Sequence, residues 1–559
     1  MPEVTRRSLL AAGVGGLALL SLGGSPSSPG RGSDIRTTRA RAFSTAGTTL
    51  EQAASAPGIA GYRRLVAGPG FPLVVREDLA TARPGRDDTR TGLASIVQLT
   101  DLHMIDAQSP MRFEFLAATC PPYFRPHETL GTHAAAQLVA RVNQLAIGPF
   151  SGRPFDCVVS TGDNSDNSET LELEWFLRVM SGGPIVANSG ATTDWEGVQN
   201  SGDPLYYNPE LAIRDRYKAV GFPRIDGFFD RVIAEHTSEG LKTPWYSVFG
   251  NHDDAIGGTI PAGWSELAEL YTGSTKFTGF TSPTANSLLT AGFSPDKPAR
   301  LGSDVAIDPR WQVTADARRT PFTPKEFMAA HLDTTAIGPG PVGHGFTPEA
   351  VAAGIAYYTF PISPGVTGIA LDSTNRGGWT HGSLGHAQFV WLEAVLRAGG
   401  DELFVVFTHH TSRSMDNPTP DPLAPEEVRH LGPEIIALLQ RYPSVLAWVN
   451  GHSHTNAITP RPGPTPARSF WEINTASHIE FPQQARIIDV CDNHDGTLSL
   501  FTTLIESAAP YQAAYDDGSQ VALAALYREL ALNDLSYAAA HGGSTKDQNT
   551  ELLLVHPFA

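Results

Sequence analysis

Two histidines, His452 and His454, stand one residue apart in the stretch VNGHSHTN, directly after a glycine. On a strand their side chains would point to opposite faces of a sheet, whereas on a turn they can converge on one point. Imidazole is a ligand for zinc, iron and similar ions. The pair therefore suggests a metal site that takes further ligands from elsewhere in the chain.

Four other clusters of Asp, Asn and His follow apolar, β-branched runs in the same way. Each alone has an ordinary explanation, because Asp, Asn and Gly are frequent in turns. Five such clusters, each directly after a predicted strand, are not expected by chance. They are Asp101-Leu102-His103, Gly162-Asp163-Asn164, Gly250-Asn251-His252-Asp253, His409-His410 and Gly451-His452-Ser453-His454.

The runs before the clusters predict strands, and helical patterns lie between them. The predicted strands are residues 95–101, 156–163, 246–253, 366–373, 403–410 and 446–454. Apolar residues recur at every third or fourth position in 132–145, 169–180, 386–397 and 426–441, which is typical of helices. This alternation indicates an α/β domain, in which polar side chains gather where strands end. Glycines beside the clusters allow the sharp turns that would bring these side chains inward.

The residue types suit two cations with nitrogen and oxygen ligands. The three cysteines of the chain stand at no metal-site spacing, so thiolate ligands are not expected. A carboxylate can bridge two ions, because its oxygens carry several lone pairs. The formal net charge is −18, which makes the chain a poor candidate for binding nucleic acid through its phosphates.

The ordered set DLH, GDN, GNHD, HH and GHSH resembles the signature of the calcineurin-like metallophosphoesterase superfamily. The resemblance covers roughly residues 95–500 and implies a four-layer α/β/β/α sandwich of two mixed sheets flanked by helices, with long loop insertions. It also implies two bound metal ions, which could be Mn, Fe or Zn. One ion would be bound by Asp101, His103, Asp163 and His454, and the other by Asp163, Asn251, His409 and His452.

The same resemblance implies a phosphoric ester hydrolase in which Asp163 bridges the two ions. A hydroxide shared by the ions would attack phosphorus in line, with His252 as the general acid and Asp253 orienting it. In the family form His-x-Pro the first residue is the ligand, which favours His409. Because THHTS lacks that proline, His410 stays open as a ligand or a substrate contact.

Departures from the family narrow the expected substrate. Asp166 stands where purple acid phosphatases have a tyrosine, which argues against a purple iron site. The GDN form favours a small-molecule or lipid phosphodiester slightly over a monoester. A non-catalytic member that binds metal or phosphate ligands is the alternative. Further candidates for substrate contact, each with a structural or solvated role as the simpler interpretation, are Asn164, Asp166, Arg376, His381 and His478.

The N-terminus predicts an export signal. TRRSLLAAGVGGLALLSLGG joins Arg6-Arg7 to an apolar run shorter than the about 20 residues that span a bilayer. It resembles a twin-arginine (Tat) signal, with a general secretory signal or an uncleaved anchor as alternatives. We therefore expect the Tat export machinery as a partner, no stable protein partner, and a secreted or cell-envelope location.

The sequence predicts four regions. They are an export signal and flexible linker (1–42), an N-terminal extension (43–94), the metallophosphoesterase domain (95–510) and a C-terminal helical extension and tail (511–559). Residues 255–356 are rich in Pro, Gly and Thr, and they predict an insertion that covers or borders the site.

Overall fold

A computed structural model shows a mixed α/β fold with two main β-sheets. The predicted signal, from Arg6 to Leu22, lies outside the residues that the structure describes. Among the described residues, no helix is both long and apolar enough to cross a bilayer. The structure describes residues 36–37, 41–58, 60–118, 123–255, 257–258, 267–280, 305–378, 380–537 and 539–559.

The larger sheet has eight strands of mixed direction. Its last three strands are parallel to one another, so their carboxyl ends meet at one edge. Residues near the C-terminus also contribute a strand, which lies beside Thr497–Glu506. In spatial order the strands are Arg36–Thr37, Val74–Arg76, Thr550–Val555, Thr497–Glu506, Gln484–Asp492, Thr91–Leu99, Cys157–Ser160 and Trp245–Ser247.

The smaller sheet has six strands, and four of them run parallel. It shares one apolar core with the larger sheet. For example, the rings of Tyr246 and Phe360 stack with their centroids 4.0 Å apart. In spatial order the strands are Tyr358–Ser363, Val366–Ala370, Leu403–Phe407, Val445–Asn450, Phe470–Asn474 and Ala457–Arg461.

Helices cover both sheets, so the prediction of a mixed α/β fold is confirmed. Leu392 and Leu438 belong to a second apolar core, which also contains Trp448 of the smaller sheet. The longer helices are Gly131–Leu145, Thr170–Ser181, His386–Ala398, Gly432–Leu439 and Gln520–Leu532, and the shorter ones are Arg86–Thr89, Phe228–Val232, Leu267–Thr272, Pro324–His331 and Pro348–Ala353. Small two-stranded sheets pair Gln52–Ser55 with Val66–Pro69, Gly183–Ile185 with His236–Ser238, Thr275–Phe280 with Val305–Gln312, and Leu384–Gly385 with Arg429–His430.

One helix is shorter than the sequence pattern predicts. The pattern indicated a helix over 426–441, but the helix begins at Gly432 and ends at Leu439. Pro433 fixes the start, because proline fits the first turn, where its missing N–H is not needed. The residues just before it, Arg429–His430, instead form a short strand.

The described part of the 255–356 insertion packs onto the domain. Phe327 and Phe346 belong to the core that the two sheets share. Two fully buried cations add ionic contacts. Arg319 Nε lies 3.0 Å from Asp106 Oδ2, and Lys276 Nζ lies 3.1 Å from Glu114 Oε1. The segment is therefore held to the domain by both apolar and charged side chains.

Candidate metal centre

The five clusters meet where parallel strands of the two sheets end. Three of them follow Thr91–Leu99, Cys157–Ser160 and Trp245–Ser247, which are neighbours in the larger sheet. The other two follow Leu403–Phe407 and Val445–Asn450, which are neighbours in the smaller sheet. The structure thus brings all seven predicted ligands to one place, in two groups that share Asp163.

The first group contains Asp101, His103 and His454, which are buried and whose ligand atoms lie within 4.8 Å of one another. His454 Nε2 lies 3.3 Å from Asp101 Oδ1, and His103 Nε2 lies 3.7 Å from Asp163 Oδ2. His103 Nδ1 is hydrogen-bonded to Asp166 at 2.8 Å, so in the neutral ring Nε2 carries a lone pair. This buried nitrogen has no hydrogen-bond partner, and a cation would satisfy it.

The second group contains Asn251, His409 and His452. Asn251 Oδ1 lies 3.0 Å from both His409 Nε2 and His452 Nδ1. Asp163 Oδ2 lies 3.2 Å from His409 Nε2, while Asp163 Oδ1 accepts the backbone N–H of His252 at 2.7 Å. Only Oδ2 of this carboxylate therefore faces both groups, as a bridging ligand requires.

The contacts of His409 show that the second group is built for a cation. His409 Nδ1 lies 2.9 Å from the carbonyl of Thr161, to which it donates, so Nε2 is the acceptor nitrogen. Asn251 Nδ2 donates to the carbonyl of Gly257, which leaves Oδ1 as an acceptor too. An acceptor nitrogen thus faces the acceptor oxygens of Asn251 and Asp163 at hydrogen-bond distance. A proton or a metal ion between them turns this repulsion into attraction.

The electrostatics of the site favour positive charge. Burial tends to raise the pKa of Asp163, but nearby histidines, first His409, hold that pKa well below its usual range. Burial disfavours protonation of His409, yet the Asp163 carboxylate prevails and raises the pKa of this imidazole to about 9. In the same way Glu480 and Asp101 overcome burial and raise the pKa of His454 to about 10. The field that attracts these protons also attracts metal cations.

The structure distinguishes His409 from His410. By distance alone His410 belongs to a possible ligand group. However, both of its ring nitrogens have protein partners, since Nδ1 lies 2.9 Å from Ser373 Oγ and Nε2 lies 2.9 Å from the carbonyl of Thr380. His409 uses only Nδ1 in this way and turns Nε2 into the site. The contacts therefore favour His409 as the ligand.

The backbone at the ligands is unusual. A positive φ is uncommon for residues other than glycine and costs of order 1–3 kcal/mol each. Such strain persists only where the surrounding structure enforces it, and it concentrates at functional sites. Five predicted ligands have φ between 44° and 66°, namely Asp101, His103, Asp163, His452 and His454.

Two glycines make the close approach of the strand ends possible. A Cβ at Gly162, where φ is 94°, would lie 2.7 Å from His409 Nδ1. A Cβ at Gly451 would lie 2.5 Å from Asp101 Oδ2. Any larger residue would displace a ligand, so both positions require glycine.

His252 lies beside the first group, but Asp253 does not orient its ring as the sequence analysis expected. The Asp253 carboxylate accepts N–H groups from Asn164, Ser165 and Gly250, so it braces the turns that carry the ligands. His252 Nδ1 instead lies 3.0 Å from the backbone oxygen of Asp166. The His252 side chain is 29% exposed, so the ring is partly accessible.

The other sequence candidates divide into buried and exposed residues. Asn164 and Asp166 are buried behind the ligands, and His478 is buried against Tyr527. The side chains of Arg376 and His381 are 26% and 36% exposed, and the His381 ring centroid lies 5.9 Å from that of His452. These two remain the candidates for substrate contact.

Sequence reasoning missed three residues that lie next to the ligands. Glu480 contacts His454, while Arg112 and Arg125 pair with acidic residues behind the first group. Glu480 follows Phe470–Asn474, the parallel neighbour of Val445–Asn450. Because Glu480 does not come directly after the strand, the rule of polar strand ends gave no signal for it.

The comparisons with known proteins give limited likenesses. No family model matches the chain. A glycerophosphodiester phosphodiesterase of Enterobacter lignolyticus is 31% identical over 100 residues, which is 18% of this chain. The chain spans only 34% of the length of that curated relative.

Two solved structures are also similar. A dimetal phosphatase from Danio rerio aligns with 10% identity and a TM-score of 0.36, covering 74% of this chain and 99% of that one. GAP50, the anchor in the inner membrane complex of Plasmodium, aligns with 11% identity and a TM-score of 0.25, covering 81% of this chain and 100% of that one. Both scores are too low to define a common fold.

Proposed function

We propose that this protein is an exported phosphoesterase that depends on two metal ions and favours phosphodiesters slightly over monoesters. The observation that carries the proposal is the set of nitrogen and oxygen acceptors that face one another around Asp163 Oδ2. The curated relative is named as a phosphodiesterase, which supports the proposed substrate class. The proposal includes a calcineurin-like four-layer α/β/β/α sandwich, supported by the shared core and the helices packed on the smaller sheet.

The donor set fits two ions of the Mn, Fe or Zn type, because it contains imidazole, carboxylate and amide oxygen. When bound, two such ions supply Lewis-acid stabilisation of the phosphoryl oxygens and an activated water near neutral pH. We assign Asp101, His103, Asp163 and His454 to the first ion, and Asp163, Asn251, His409 and His452 to the second.

His252 is the proposed general acid. Its Nδ1–H donates to the backbone oxygen of Asp166, which fixes the ring and leaves Nε2 as the nitrogen for the substrate. A proton held on Nε2 can pass to the leaving oxygen as the ester bond breaks. The Asp253 carboxylate contributes indirectly, because it fixes the turns on either side of Asp163.

Turnover of phosphate esters tests the proposal. Purified protein supplied with Mn²⁺ or Zn²⁺ is expected to hydrolyse bis-p-nitrophenyl phosphate faster than p-nitrophenyl phosphate. Asp163→Asn keeps an oxygen for the backbone N–H of His252 but loses the bridging charge, so it should abolish turnover. The matched control is Asp489→Asn, an equally buried carboxylate of the larger sheet that contacts Ser95 and Ser151.

Each outcome has one meaning. Metal-dependent turnover that is lost in Asp163→Asn and retained in Asp489→Asn supports the dinuclear hydrolase. A higher rate on the monoester would reverse the substrate preference. Protein that binds two ions and turns over neither ester supports the alternative, a non-catalytic member that binds metal or phosphate ligands.

Export is a separate part of the proposal and rests on Arg6-Arg7 before an apolar run. Replacing both arginines by lysine should block export through the Tat machinery while leaving a general secretory route open. Cell fractionation measures the difference, and unchanged export of the variant would contradict the Tat assignment.

A further inference from the structure

His103 contacts a buried carboxylate on the side away from the site, and that carboxylate is paired with a buried arginine. His103 Nδ1 is hydrogen-bonded to Asp166 Oδ1 at 2.8 Å, and the other oxygen of Asp166 is paired with Arg112. All three side chains are buried. Arg112 also lies 2.8 Å from Glu128 and 3.6 Å from Glu114, so its charge is shared among three carboxylates.

The same arrangement recurs behind His454. Arg125 is hydrogen-bonded to Glu480 Oε1 at 2.6 Å, and Glu480 Oε2 lies 3.0 Å from His454 Nδ1. This contact is an ion pair when His454 is protonated. In both rows of side chains an arginine fixes a carboxylate. That carboxylate faces Nδ1 of a histidine, and Nε2 of the same histidine faces the site.

Both arginines come from one segment of the chain. Glu128 ties them together, because it accepts from Arg112 at 2.8 Å and from the backbone N–H of Arg125 at 2.9 Å. Both histidines belong to the first group of ligands. In the second group, His409 Nδ1 has only the neutral carbonyl of Thr161 behind it.

We propose that Asp166 and Glu480 are positioning residues for the first metal ion, with Arg112 and Arg125 holding them in place. Each carboxylate keeps a proton on Nδ1 of its histidine, so that the Nε2 lone pair is directed into the site. A carboxylate in this place also makes the imidazole a stronger ligand, and its loss typically costs about 10–100-fold in metal affinity. The inference rests on the proposed function in that it requires the ions to bind.

Metal titration of the full chain tests this role without relying on activity. Metal-free protein is titrated with Mn²⁺, and separately with Zn²⁺, in a calorimeter that resolves the two binding steps. Asp166→Asn keeps an acceptor for His103 but removes the charge, and Arg112 stays paired with Glu128. Glu480→Gln does the same for His454. The control is Glu434→Gln, which changes a half-exposed carboxylate in the first turn of the helix Gly432–Leu439, 3.5 Å from His430.

The expected result is selective. Asp166→Asn and Glu480→Gln should each weaken one binding step by about 10–100-fold and leave the other unchanged, whereas Glu434→Gln should match the parent protein. Unchanged affinity in both variants would overturn the proposal. Equal weakening of both steps together with a lowered melting temperature of the metal-free protein would show a structural role and would overturn it too. A parent protein that binds neither ion would instead refute the proposed function.

Discussion

Replacement of His409 and of His410, one at a time, separates a ligand from its structural neighbour. His410 is fully buried and its ring nitrogens lie 2.9 Å from Ser373 Oγ and from the carbonyl of Thr380. A buried hydrogen bond contributes about 0.5–1.5 kcal/mol net, and a partner left unsatisfied costs about 1–3 kcal/mol. We therefore expect His410→Ala to destabilise the protein by about 2–4 kcal/mol while both metal ions are retained.

His409→Ala should have the opposite effect. Removing a partner behind a ligand typically costs about 10–100-fold in affinity, so loss of the ligand itself should exceed that for the second ion. Elemental analysis of bound metal and thermal unfolding of the metal-free forms measure both effects.

One pattern of metal content would contradict the assignment of His409 as the ligand. If His410→Ala lost one equivalent of metal and His409→Ala kept both, then the assignment from ring-nitrogen partners would be wrong. The missing proline after His410 would in that case mark a shift of the ligand by one position.

Three further predictions concern His252, the buried Arg319 and the bound metal. His252→Ala should retain both ions and lose about 10²–10⁴-fold in kcat, and an unchanged kcat with intact metal content would rule out the general acid role. Arg319→Met should destabilise the protein by about 3–5 kcal/mol, because it leaves Asp106 buried without its cation. Arg318 pairs with Asp316 at the surface, so the control Arg318→Met should cost at most about 1 kcal/mol. Thermal or denaturant unfolding measures both changes. Removing metal with a chelator should lower the melting temperature, since an ion at 100 times its Kd stabilises the folded state by about 2.7 kcal/mol, and an unchanged melting curve would contradict the metal site.

The sequence predicted which segments form strands and helices more accurately than it predicted the residues at which they end. Strands were expected to continue into the polar clusters, as in 156–163, but pairing stops at Ser160. The reason is that the ligand turns need positive φ at residues such as Asp163, which cannot continue a strand. The pairing order of the strands was not readable from the pattern, because it is set by contacts distant in sequence.

The site could be predicted because its ligands are polar residues at strand ends, where the local pattern is strong. The residues behind the ligands could not be predicted in this way. Arg112, Arg125 and Glu480 have no motif, and their role depends on which carboxylate lies beside which histidine after folding. Asp253 shows the same limit, because its neighbour His252 in sequence is not its partner in space.

The position of the long insertion explains how the ligands keep their geometry around it. The third cluster follows a strand of the larger sheet and the fourth follows a strand of the smaller sheet. The chain therefore passes from one sheet to the other between Ser247 and Tyr358. Tyr358, just after the insertion, donates from Oη to the carbonyl of Ser247, just before it, at 2.7 Å. The two ends are thus tied together within the core, and closing a longer loop between tied ends costs little extra free energy. Changes in length between these two residues can therefore leave the strand ends that carry Asn251 and His409 in place.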